Sequence, residues 1–226
     1  MAKTDVKIRK IGSVVVFDLF GSLRNKLGDD VKDRLEGDIQ EGNYTNVILN
    51  AQGVEATDEL TLRKILVTME RPVRKAIFCD DGDFFKALSK TYLSNRVPVC
   101  RTEEEIVDLF GAYLLERGKR IGTRDRRRNP RIKMAIPIGI EILAASQEAV
   151  LTKAIVTNLS DGGVFAEYLD WKSARAAKNI PNITDLEAKV IFRHSKTGNE
   201  TRIASKILRF EETDNQIGVA VQYVKE

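Results

Sequence analysis

Cysteine and histidine are scarce in this chain of 226 residues, with two of the first and one of the second. Two cysteines cannot build a disulfide framework. Cys79 and Cys100 each end a short apolar run, AIFC and VPVC, and read as buried reduced thiols. His194 stands in an alternating, strand-like segment with no Cys or His beside it, which excludes a metal site of ordinary spacing and a hydrolytic triad. Long apolar runs are absent too. None approaches the roughly 20 residues of a membrane span, and the start, MAKTDVKIRKIG, lacks the apolar stretch of a signal peptide. A cytoplasmic protein without a membrane span is expected.

What the chain does have is charge, unevenly placed. Residues 1–116 carry 17 Lys and Arg against 20 Asp and Glu, net −3, whereas residues 117–226 carry 20 against 13, net +7. The length suits two domains, each with its own core. The charge step puts their boundary near the middle, and the basic half is the one that would draw an anionic partner. Three segments are expected: an α/β domain over 1–116, a basic arm over 117–131, and a β-rich domain over 132–226.

In the first segment, DVKIRKIGSVVVFDLFGSL reads as two strands turning at Ile11-Gly12-Ser13. Leu23, Leu27, Val31, Leu35 and Ile39 then share one face of a helix stopped by Gly42. After that, strands and helices alternate. NVILNA, RKAIFC and VPVC read as strands, separated by helices over TDELTLRKILVTME and DGDFFKALSKTYL. A last helix, RTEEEIVDLFGAYLLE, opens at Thr102 with acidic residues in its first turn, where the helix dipole favours them. The pattern predicts a mixed, partly parallel sheet with helical cover. No nucleophile–base pair, metal cluster or Gly-rich phosphate loop stands in this half, so no enzyme is expected.

This order resembles the STAS domain of anti-sigma factor antagonists over about residues 4–116, best at Gly21, at VILNAQGVEATDEL and at RTEEEIVDLF. In partner-switching members of that family, an Asp-Ser pair opens the helix after the third strand and a partner kinase phosphorylates the serine. Here Asp58 matches the Asp and Glu59 stands in the serine's place. A carboxylate cannot be phosphorylated, so the position is degenerate, although Glu59 can supply a permanent negative charge at that helix start. Thr57 and Thr61 are read as a helix cap and an exposed helical position. What the resemblance implies for this half is contact with a protein partner, or with a second copy of itself.

The next segment, the arm RGKRIGTRDRRRNPRIK, holds nine Lys and Arg and one Asp. It cannot bury itself. Pro130 disfavours helix at Asn129, so RRNPR leads in extended form toward a strand. Beyond it, six alternating runs with short turns predict a small closed or nearly closed antiparallel barrel. DWKSARAAKNIPNITD interrupts them as a helical excursion held by Trp171.

Within residues 122–226, the pair RRNPR and NLSDGG resembles the PilZ domain, the bacterial receptor module for cyclic di-GMP. Its RxxxR motif corresponds to Arg127 and Arg131, and its [DN]-x-S-x-x-G motif to Asn158, Ser160 and Gly163. A guanidinium fork pairs with phosphate or the guanine O6/N7 edge and also stacks on a base. Asn158 and Ser160 offer oriented polar atoms, and Gly163 permits close backbone approach. The resemblance implies a two-molecule, intercalated ligand where a basic residue precedes the motif, as Arg126 does here. Arg128, Asp161 and Gly162 are secondary candidates. No cofactor and no metal are expected.

The sequence therefore suggests a non-enzymatic cyclic di-GMP receptor, of the kind tied to motility or biofilm regulation, whose output is protein binding through the N-terminal half. Two other readings use the same features. The basic arm could bind nucleic acid, although few aromatics stand near it to stack on bases. Alternatively, the chain is a scaffold with an inert barrel.

Overall fold

The computed structural model describes residues 4–80, 82–91, 96–115, 132–143, 149–193, 197–214 and 216–224. The chain forms two compact units, Met1–Lys10 with Val14–Phe110, and Ile11–Ser13 with Gly111–Glu226. The first unit runs β1 (Asp5–Ile11), β2 (Val14–Leu23), α1 (Asn25–Glu41), β3 (Asn46–Thr57), α2 (Glu59–Met69), β4 (Arg74–Phe78), α3 (Asp83–Leu88), β5 (Val99–Cys100) and α4 (Glu103–Phe110). Its five strands stand in the order β1-β2-β3-β4-β5. From β2 to β5 neighbouring strands are parallel. β1 reaches β2 through only two residues, a connection that allows antiparallel pairing alone. The predicted mixed sheet with helices is what forms.

One face of this sheet carries the main core. Val15, Phe17 and Leu19 alternate along β2 and meet Val31, Leu35 and Ile39 of α1 with Leu62, Ile65, Leu66 and Met69 of α2. The predicted stripe on α1 needs correction at its start. Leu23 is the last residue of β2 and Leu27 is 50% exposed, while Gly28 faces inward. The reason is tertiary. A Cβ at Gly28 would lie 2.4 Å from Thr61 Cγ2, so only glycine lets α1 and α2 close here. Thr61, expected on an exposed position, is 2% exposed.

The opposite face carries a buried polar network. Arg9 donates from Nε to Asp18 Oδ2 at 2.6 Å and from Nη2 to Asp18 Oδ1 at 3.0 Å, and Asn50 Nδ2 donates to the same Oδ1 at 2.8 Å. All three residues are buried. A charge pair at this depth is tolerated because the fork is bidentate and the remaining carboxylate lone pairs are also used.

Helix ends follow from local chemistry. Thr102 and Glu105 form a reciprocal capping box before α4: Glu105 N–H donates to Thr102 Oγ1 at 3.3 Å, and Glu105 Oε2 accepts from Thr102 N–H at 3.4 Å. α3 stops at Leu88, shorter than predicted. The Ser89 and Thr91 hydroxyls donate to Phe85 O and Leu88 O in its last turn.

The second unit comprises β6 (Ile136–Leu143), β7 (Ala149–Ser160), β8 (Gly163–Glu167), α5 (Trp171–Lys178), β9 (Glu187–Arg193), β10 (Glu200–Thr213) and β11 (Gln216–Tyr223). The six strands close into an antiparallel barrel in the order β10-β11-β8-β7-β6-β9. Alternate residues fill it, including Ile138, Ile140 and Ile142 of β6, Val164 and Ala166 of β8, and Val219 and Val221 of β11. Tyr168 is fully buried, with its hydroxyl 3.3 Å from Thr152 Oγ1. The excursion after β8 is α5, capped by Asp170, which accepts from the backbone N–H groups of Lys172 and Ser173. Among the described residues, no helix is long and apolar enough to cross a membrane.

Candidate functional site

The NLSDGG segment lies where β7 turns into β8. Along β7, Ala154 and Val156 belong to the barrel core. Continued alternation would turn Asn158 inward. Instead the register shifts between Val156, opposite Ala166, and Asn158, opposite Phe165, so that Thr157 is a bulged extra residue. Its hydroxyl is satisfied by Glu167, donating to Oε1 at 3.0 Å.

The bulge reverses the phase of the strand residues beyond it. Leu159, opposite Val164, packs on the core, which sends Asn158 and Ser160 to the other side of the sheet. Asn158 is half-buried, and its amide makes no hydrogen bond among the described residues. Ser160 Oγ donates to Gly163 O at 3.2 Å, which leaves the hydroxyl oxygen able to accept. Asp161 is exposed at the turn, and Gly162 O accepts from Tyr223 N–H at 3.0 Å.

Gly163 has a reason in the fold itself. Its φ is +153°, and a Cβ there would stand 2.1 Å from the carbonyl oxygen of Val221 on β11. The backbone that approaches closely is thus that of the neighbouring strand. A requirement that the sequence attributes to a ligand is already explained by barrel closure.

The chain enters the barrel beside this turn. Ile132 and Leu159 form an isolated antiparallel bridge, with Ile132 N–H donating to Leu159 O at 2.7 Å and Leu159 N–H to Ile132 O at 2.9 Å. Such a reciprocal pair is the narrow, hydrogen-bonded type, with Cα atoms about 5.5 Å apart. Leu159 is flanked by Asn158 and Ser160, so the residue directly after the RxxxR motif is held against the centre of the second motif. Sequence reasoning gave no sign of this bridge. Arg126, Arg127, Arg128 and Arg131 themselves lie outside the described residues, as does His194.

In the first unit, Asp58 is the N-cap of α2. Its Oδ1 accepts from Thr61 N–H at 2.8 Å, and its Oδ2 accepts from Asn25 N–H at 3.0 Å and Thr61 Oγ1 at 3.1 Å. Partial burial opposes ionisation of this carboxyl. The donors on Thr61, Asn25 and Leu60 outweigh it and hold the pKa below the ordinary value. Glu59 is exposed and pairs with Arg63 at 2.6 Å, one turn along the helix. Asp58 therefore joins the starts of α1 and α2, while Glu59 presents its carboxylate to solvent. Among the described residues, no group of three His, Cys, Asp or Glu could hold a metal ion.

No family model and no curated protein matches the sequence. Some solved structures bear a partial likeness to the chain. A putative anti-sigma factor antagonist from Thermotoga maritima is 18% identical over 46% of this chain and 92% of its own, with a TM-score of 0.41. The anti-sigma factor antagonist SpoIIAA in its unphosphorylated form is 20% identical over 47% of this chain and 96% of its own, at 0.35. The PilZ domain of YcgR from Escherichia coli, solved with c-di-GMP, is 12% identical over 45% of this chain and 79% of its own, at 0.32. The chain itself has a five-stranded α/β sheet followed by a closed six-stranded antiparallel barrel. Each likeness spans less than half of it and transfers no function.

Proposed function

We propose that this chain is a cyclic di-GMP receptor whose ligand is held between the arginines of the 117–131 arm and the outward side of the β7–β8 turn. The observation that carries the proposal is the Ile132–Leu159 bridge. Arg131 directly precedes Ile132, and Leu159 separates Asn158 from Ser160. The residue that follows the RxxxR motif in sequence is thus bridged to the strand position between Asn158 and Ser160, the two side chains that the bulge at Thr157 turns away from the core. Arg127, four residues earlier in the sequence, supplies the second guanidinium of the proposed site. Two guanidinium groups, an unengaged amide and a hydroxyl oxygen then surround one volume, a donor-rich set suited to phosphates and guanine edges.

On this proposal Arg126 supports a second, intercalated cyclic di-GMP, and Arg128, Asp161 and Gly162 line the margin. Binding neutralises the repulsion within the arm, orders it, and changes how the two units are disposed. The state is read by a protein that contacts the STAS-like unit near Asp58 and Glu59. The output is binding in the cytoplasm, with no reaction catalysed.

Isothermal titration with cyclic di-GMP, with GTP as control, tests this directly. Saturable and selective binding is expected, at two molecules per chain. Each charge-assisted hydrogen bond is worth about 1.5–3 kcal/mol, so Arg127→Ala with Arg131→Ala should weaken binding by at least about a hundredfold. Unchanged affinity in that double variant would refute the site. Binding to RNA or DNA that falls steeply with salt, without preference for the dinucleotide, would instead mark the arm as a nucleic-acid contact. A folded chain that binds neither would leave the barrel as an inert scaffold.

A further inference from the structure

The barrel has a concave site away from the β7–β8 turn. A cavity of about 240 Å³ opens between α5 and the β10–β11 hairpin. Its place follows from the ladder. Gly163, beside the turn, pairs with Gln222, while Tyr168 N–H donates to Ile217 O at the other end of β8 and β11. Five residues of strand separate the two ends, roughly 17 Å at the usual rise.

The chemistry of the lining narrows the occupant. Trp171 and Phe210, both half-buried, supply aromatic walls, and Ala174 and Ile217 supply an apolar floor. At the rim Lys178 is neutralised by Glu212 at 2.6 Å. Arg175 and Asn179 are different. Neither side chain has an ion pair or hydrogen bond among the described residues, so the rim presents one uncompensated guanidinium and one unused amide. Aromatic walls with a small number of convergent polar groups are the usual make-up of a small-molecule site, and this volume falls just below the usual range of about 300–1,000 Å³, which restricts the occupant to a small molecule.

We infer that this cavity binds a small planar aromatic acid, with its ring against Trp171 and Phe210 and its anionic group on Arg175 and Asn179. A ring gains from stacking and from leaving water, and a carboxylate answers the free guanidinium bidentately. A neutral arene would use the walls alone, and an aromatic amine would meet the cation. The site is built by α5, so it is independent of the cyclic di-GMP proposal and can succeed or fail without it.

Trp171 is the only tryptophan of the chain. Its indole N–H therefore gives a single resonance in a ¹⁵N-correlated NMR spectrum, and that resonance reports on this cavity. The full-length protein would be titrated with 2-naphthoate, 2-naphthylmethanol and 2-naphthylmethylamine. The expected result is a saturable shift with naphthoate, at least about tenfold tighter than with either analogue, as one charge-assisted contact provides. Arg175→Glu, at an exposed position, should abolish that preference. Absence of a saturable indole shift in the folded wild type, or equal naphthoate binding in the Arg175→Glu variant, would overturn the assignment.

Discussion

Gly163→Ala separates what the fold needs from what a ligand needs. The added methyl would lie 2.1 Å from Val221 O, 3.0 Å from Gln222 Cα and 3.1 Å from Val221 C, all of them backbone atoms that cannot swing aside. Relief requires β8 and β11 to part by roughly 1 Å, which strains the Gly163–Gln222 pairing and the 3.0 Å bond from Tyr223 N–H to Gly162 O. Alanine at a φ of +153° adds backbone strain of about 1–3 kcal/mol. Forcing packed backbone apart costs a similar about 1–3 kcal/mol. Together they come to about 2–6 kcal/mol. For a barrel of this size each kcal/mol moves Tm by about 4–8 °C, so a fall of at least about 8 °C in the barrel transition is expected. Scanning calorimetry measures it. Asn158→Ala is the control, because its amide bonds to nothing among the described residues and its loss should leave Tm nearly unchanged. If Gly163→Ala kept the wild-type Tm but lost cyclic di-GMP, the glycine would serve the ligand and the closure account would be wrong.

Asp18→Ala should destabilise the first unit by about 3–5 kcal/mol in urea unfolding, because it strands the buried Arg9 guanidinium without its carboxylate. A cost below about 1 kcal/mol would contradict that depth of burial. Asp58→Ala should cost about 0.5–2 kcal/mol at neutral pH through loss of the α2 cap. The Asp58 pKa is lower folded than unfolded, so its ionic contribution is full above the unfolded pKa and disappears as pH falls through the folded one. The gap between wild type and Asp58→Asn should therefore close below about pH 4, and a gap independent of pH would sink the assignment. Cys79 belongs to the core on one face of the sheet, whereas Cys100 pairs with Phe78 and so faces the other way. Burial, with Glu105 nearby, pushes the Cys100 thiol up to about 11. Neither thiol should react with a disulfide reagent at pH 8 until denaturant is added, and rapid modification of the native protein would refute their burial.

Much of the architecture is local and so legible in the sequence. Alternation of period two predicts each barrel strand, and SKTGNE and ETDNQ mark their turns. Thr102, Asp58 and Asp170 act through bonds to residues two or three places on, which is why caps can be read without a fold. The charge step at mid-chain is likewise a property of composition. Tertiary structure decided the features that depend on strands and helices distant in sequence. The bulge at Thr157 exists because β8 offers one residue against two, and it alone determines that Asn158 and Ser160 face away from the core. Leu27 is exposed and Thr61 buried because α1 and α2 meet at Gly28, a contact between residues 33 apart. Ile132 meets Leu159 across the entry to the barrel, and Gly163 meets Val221 across its closure. Periodicity encodes which way a side chain points along its own element. Which backbone it then meets is settled only by non-local pairing, and here that pairing determines what stands around the candidate site.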